Sequence, residues 1–145
     1  MKADNKTEFA VMEVINKLIK AFETKDIENG LALFAPDPDV VFIGTGADEK
    51  CIGLAEIKAE FERSFSQSEE LSIKLDWYSV SAAGPVAWVT ADASIYAKVG
   101  GQETHFPIRL TTVLEQRNGR WLMVQSHDSL PAASQKDGES FPMEH

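Results

Sequence analysis

The chain has 145 residues, 43% of them hydrophobic and 26% charged, with a formal net charge of −9 at pH 7. That length predicts one domain, residues 1–145, able to bury its own core without a metal or disulfide staple. The acidity, with basic residues scattered rather than clustered, speaks against nucleic acid or anionic lipid as a partner, and a lone cysteine, Cys51, excludes an intramolecular disulfide and a cysteine-based metal site.

Residues 1–8 are polar and hold no apolar core of the signal-peptide kind. No 18-residue apolar run follows, so the expectation is a cytoplasmic protein without a membrane partner. Residues 7–24 have helical period, with Phe9, Met12, Ile15, Leu18, Ile19 and Phe22 at three- and four-residue steps and Thr7 as the cap candidate. A second short helix is predicted over 27–34, capped by Asp26, with Leu31 and Phe34 facing inward. Pro36 and Pro38 end it. Residues 40–43 read as a short strand and 44–49 as a turn. A third helix is predicted over 54–66, with Ile57, Phe61 and Phe65 on one face.

Four long β-like segments follow, at 71–83, 86–99, 103–117 and 120–130. Gly84-Pro85, Gly100-Gly101 and Asn118-Gly119 separate them, and Asn-Gly is the strongest hairpin signal of the three. Strands joined by tight turns give an antiparallel sheet with the helices on one face, an α+β domain. Residues 131–145 read as a loose tail without periodicity. Acids outnumber bases 15 to 8 in residues 1–70, whereas residues 71–130 carry 5 of each.

This layout resembles the SnoaL-like, or nuclear-transport-factor-2-like, superfamily over roughly residues 8–131. The resemblance is carried by Phe42-Ile43-Gly44-Thr45-Gly46 with Asp48-Glu49 and Gly53, and by the last hairpin, from Arg109-Leu110-Thr111 through Asn118-Gly119-Arg120-Trp121 to His127-Asp128-Ser129. It looks like the branch that also resembles the association domain of calcium/calmodulin-dependent kinases. The resemblance implies a cone-shaped roll: a strongly curved antiparallel sheet on a long first helix plus two shorter ones, with a pocket inside, and a homodimer through the sheets. It does not imply one function, because this fold hosts enzymes, binders and assembly modules.

Alternate residues of a strand face opposite sides. In 103–117 the even positions Phe106, Ile108, Leu110, Thr112 and Leu114 are mostly apolar and should look into the cone. In 120–130, matching Leu122 and Val124 to the core places Ser126 and Asp128 on that inner face. Trp121 and Met123 then lie outside, and Trp121 marks the expected homodimer surface. The association-domain resemblance matches its pocket positions to Thr112 and Asp128. The arginines found there in that branch are absent, so binding of an anionic ligand does not carry over.

Asp92 is the sole charged residue between Trp77 and Ala97. It shares parity with Trp88, Thr90, Ser94 and Tyr96, while Ala87, Val89, Ala91, Ala93 and Ile95 form a wholly apolar set. If that apolar set is the core side, Asp92 points out; if both faces are buried, it lines the pocket with a carboxyl of raised pKa. His127 and Asp128 are neighbours on a strand and point apart, so they form no dyad. The three histidines have no metal-ligand spacing. Gly44-Thr45-Gly46 lacks the Gly-Lys-Ser/Thr of a phosphate loop. Against the ketosteroid isomerases of this fold, the catalytic tyrosine position falls on Leu18, the base on Phe42 and the second aspartate at or beside Thr111, so all three functions are missing.

The resulting expectation is a homodimeric cone whose apolar pocket takes a small, largely neutral organic molecule, without cofactor or metal. Trp88, Asp92, Thr112, Ser126 and Asp128 are the candidate lining. Two alternatives stand beside it: a lyase, isomerase or hydrolase using Asp92 or Asp128 as base, and an assembly module without ligand.

Overall fold

The structure is a computed structural model and describes residues 1–144. Helix α1 spans Asn5–Thr24, α2 Ile27–Leu31 and α3 Leu54–Gln67. The strands are β1 Val41–Ile43, β2 Lys50–Ile52, β3 Glu70–Ala83, β4 Val86–Val99, β5 Gln102–Arg117 and β6 Arg120–Ser129.

The cap of α1 is Asp4, whose Oδ1 accepts from the Thr7 backbone N–H at 2.8 Å. Thr7, predicted as the cap, therefore sits in the first turn, because the carboxylate three residues earlier satisfies its free N–H group. Val11, Ile15 and Leu18 are buried, but Phe9 is 70% exposed and leaves the apolar stripe. Asp26 caps α2 as predicted, accepting from the Asn29 N–H. Strand β2 begins directly after the stretch read as a turn, where no strand was expected. Three residues beginning with a lysine carry no alternation strong enough to see, yet they pair with β1 through Phe42 opposite Cys51.

The six strands form one curved sheet in the order β2-β1-β6-β5-β4-β3. Its pairs are antiparallel except β1 against β6, which is parallel, with Phe42 opposite Ser126. The chain leaves β1, builds three long strands and returns to lie beside it, and a returning strand can enter in either direction. Asn118 and Gly119 at the last hairpin have φ of 51° and 77°, the left-handed pair that a two-residue hairpin requires.

Two bulges bend the sheet. Asp76 is an extra residue on β3 between the pairs Leu75–Ala93 and Trp77–Asp92. Val124 is an extra residue on β6 between the pairs Val113–Gln125 and Leu114–Met123. The second bulge reverses part of the expected alternation. Ser126 and Asp128 stay opposite Thr112 and Leu110 on the inner face, but beyond the bulge Met123 and Trp121 turn inward and Leu122 pairs with Glu115. Trp121 is 8% exposed and Met123 is fully buried, so Trp121 belongs to the core and offers no dimer surface.

Phe61 of α3 is the hub of the core. Its ring lies 4.9 Å from Phe22 of α1, 5.4 Å from Phe42 of β1 and 5.9 Å from Phe34, centroid to centroid and edge to face. Arg117 at the end of β5 holds the loop before β1 through a two-pronged ion pair with Asp37, at 2.6 and 2.7 Å. Among the described residues no helix is long and apolar enough to cross a membrane.

Candidate functional site

Between α1 and the inner face of the sheet lies a cavity of about 190 Å³. Leu18 and Phe22 of α1, Phe42 of β1, Phe61 of α3 and the β5 residues Ile108 and Leu110 supply apolar wall. Strand alternation explains the sheet side: on β4 and β5 the apolar parity faces inward, and paired residues such as Ala93 and Ile108 stand together. Leu18 and Phe42, where the isomerase resemblance would put a tyrosine and a base, are hydrocarbon wall, and Thr111 is exposed on the other face.

The polar lining is small and acidic. Ser126 and Asp128 face the cavity from β6, and Glu49 and Glu60 from its rim. Ser126 and Thr112 are both fully buried and hydrogen-bond each other across β5 and β6, 3.1 Å between hydroxyl oxygens. Asp128 is different. Its Oδ1 is buried and has no hydrogen-bond partner. Burial pushes the Asp128 carboxyl up to about 7, with the negative charge of Glu49 adding to the rise.

Glu49 and Glu60 meet at the rim. Burial raises the Glu60 carboxyl to about 7, helped by its hydrogen bond with Glu49 and by that residue's charge, and opposed by Arg63. Arg63 is spoken for: it pairs with Asp48 at 2.8 Å, Glu60 at 2.7 Å and Glu49 at 3.5 Å. The Gly44-Thr45-Gly46 turn has a role here. The Gly46 N–H donates to the Glu49 carboxylate, and a Cβ on Gly44 would lie 2.6 Å from Glu49 Oε2. The two glycines let the glutamate fold back over the turn.

Of the residues singled out from sequence, Ser126 and Asp128 line the cavity, with Thr112 supporting Ser126. Trp88 and Asp92 do not. Ala87, Val89, Ala91 and Ala93 are buried on the core side, so alternation turns Trp88 and Asp92 to the opposite face, where Asp92 is exposed and paired in register with Arg109. His127 is also exposed, pointing away from Asp128. Glu49 and Glu60 were not anticipated. The available signal was the spacing Ile57, Glu60, Phe61, Ser64, which puts an acid on the apolar stripe of α3. Among the described residues no group of histidine, cysteine or carboxylate side chains is disposed to hold a metal ion.

The model of the SnoaL-like domain matches residues 11–133. The chain belongs to this family. Several solved structures share the fold of this SnoaL-like protein. A nuclear transport factor 2-like superfamily protein from Salmonella enterica serovar Typhimurium is 25% identical, with 94% of this chain and 96% of that one covered and a TM-score of 0.80. A chain from Xanthomonas campestris assigned to the calcium/calmodulin-dependent protein kinase II association domain is 21% identical over 85% and 86%, TM-score 0.75. A type 2 hexachlorocyclohexane dehydrochlorinase is 9% identical over 86% and 85%, TM-score 0.77. No curated protein sequence matches the chain.

The buried carboxyl makes stability depend on pH. Between its ordinary value of 3.8 and about 7, folded Asp128 keeps a proton that the unfolded chain releases. Stability therefore falls as pH rises through that window, and the loss is complete above it. Asp128→Asn cannot ionise and is expected to be more stable at pH 8, by up to about 4 kcal/mol, with a smaller gain at pH 5. Glu60 is present in both proteins and cancels. Urea unfolding at the two pH values measures the difference, and an equal gain at both would contradict the assignment.

Proposed function

We propose that this SnoaL-like cavity binds a small organic molecule with an apolar body about one ring in size, oriented by Asp128. The observation that carries the reading is an apolar cavity of about 190 Å³ holding one buried carboxyl oxygen without a partner. An engineered apolar cavity of about 150 Å³ takes up benzene, so this volume suits a single ring with a short polar arm. Apolar walls with a few convergent polar groups are the usual character of a small-molecule site. Titration of the labelled protein with benzyl alcohol is expected to shift the amide resonances of Ile108, Leu110 and Ser126. Leu110→Trp, which fills the cavity, is expected to abolish those shifts. Shifts that persist in the filled variant would refute the site.

A second reading is favoured by the Asp128 carboxyl lying near 7, where acid and base forms coexist at neutral pH. Asp128 then takes a proton from the bound molecule as a general base. The fold shared with a dehydrochlorinase is compatible with such chemistry. Exchange of the α-protons of cyclohexanone in heavy water is expected to accelerate as pH rises through about 7, and to lose that acceleration in Asp128→Asn. Equal rates in both proteins would leave the pocket as a binding site alone.

The partner proposed for the outer sheet face is a second copy of this chain. That face presents Trp77, 53% exposed, and the stacked rings of Tyr96 and His105, 4.2 Å apart. Trp121, turned into the core, has no part in it. Sedimentation of Trp77→Glu is expected to show a monomer where the parent protein sediments as a dimer; a monomeric parent would remove the proposal.

A further inference from the structure

The walls of the cavity set the size of its occupant, and the charged groups set its chemistry. Every titratable side chain lining it is an acid: Asp128 within, Glu49 and Glu60 at the rim. No lysine, arginine or histidine faces the cavity among the described residues. Arg63, the cation beside the rim acids, lies outside the lining and is shared among Asp48, Glu49 and Glu60. Asp128 Oδ1 meets no donor at all. A buried carboxylate without a donor is costly, and a group that brings both charge and hydrogen-bond donors relieves that cost most completely.

Resting on the binding reading above, we infer that the occupant is a primary amine: a protonated ammonium on a short arm, held by Asp128, with an apolar ring among Leu18, Phe42, Ile108 and Leu110. The three candidate polar arms separate on charge. A carboxylate arm would face three acids and no cation. A hydroxyl arm gives Asp128 one hydrogen bond but leaves any charge on it buried. An ammonium arm gives up to three donors, neutralises the Asp128 charge, and is attracted by Glu49 and Glu60 as it passes the rim. The excess of acids over bases in the whole chain adds attraction at longer range.

The test compares benzylamine, benzyl alcohol and benzoate, which share a ring and differ in the arm. Binding is followed at pH 8 in physiological salt by amide shifts of Ile108, Leu110 and Ser126, for the parent protein, Asp128→Asn and Leu110→Trp. Benzylamine is expected to bind at least tenfold more tightly than benzyl alcohol, and benzoate not at all. Asp128→Asn is expected to erase the amine's advantage while keeping the alcohol's binding. Leu110→Trp is expected to lose both, which separates cavity binding from attraction to the acidic surface. Benzyl alcohol binding as well as or better than the amine would overturn the amine assignment and leave the binding reading standing. Amine preference undiminished in Asp128→Asn would also overturn it. No cavity shifts with any of the three would overturn both readings.

Discussion

The edge-to-face cluster around Phe61 is the contact on which the rest of the molecule depends. It ties the first helix, the third helix and the first strand together at one side of the curved sheet. Aromatic rings are wide and rigid, so a cluster of them fixes a spacing as well as contributing apolar burial. Toward the hairpin end, Ala87, Leu114 and Met123 are buried as packed core. Further along the same inner face, the walls of Ile108, Leu110 and Ala93 stand clear of the helix and leave the cavity. Core and cavity are thus two ends of one apolar surface, divided by where the aromatic wedge sits.

Asp128 stands at the cavity end, opposite Leu110. Its strand neighbours Ser126 and Thr112 satisfy each other, so they can be fully buried without help from a ligand. The aspartate has no such mate, and the nearby charge it feels is another acid. A packed structural core would place a methyl group or an amide with partners at this position. A buried acid kept without partners is a departure from the rules of stable cores, and such departures concentrate where function requires them.

The rim is built by a different device. Gly44 and Gly46 leave room for Glu49 to fold back over its own turn, and α3 brings Glu60 against it from the other side. Arg63 closes the group from outside, meeting three carboxylates at once. The opening is therefore acidic and held in place by an ion-pair network, while the interior is mostly hydrocarbon, with Asp128 as its one carboxyl. A ring with a cationic arm meets charge first and hydrocarbon second on its way in.

The α+β class, the three helices, the four long strands and the inward set of β5 follow from the sequence alone, because helical and strand periodicities are local and repeat many times. The family resemblance is likewise local, resting on short stretches such as the turn before Asp48 and the last hairpin. Ser126, Thr112 and Asp128 were legible through alternation. The face taken by Asp92 and Trp88 was not, since both parities of β4 read as burial-compatible until the alanine side met the helices. Tertiary structure alone decided the inward turn of Trp121. One extra residue at Val124 reverses the alternation of the strand, and a bulge of that kind leaves almost no mark in composition. It also decided that Glu49 and Glu60, 11 positions apart in a chain rich in surface acids, meet at the rim of a cavity. Long-range pairing of single charged residues has no period to reveal it; only the packed chain brings them together.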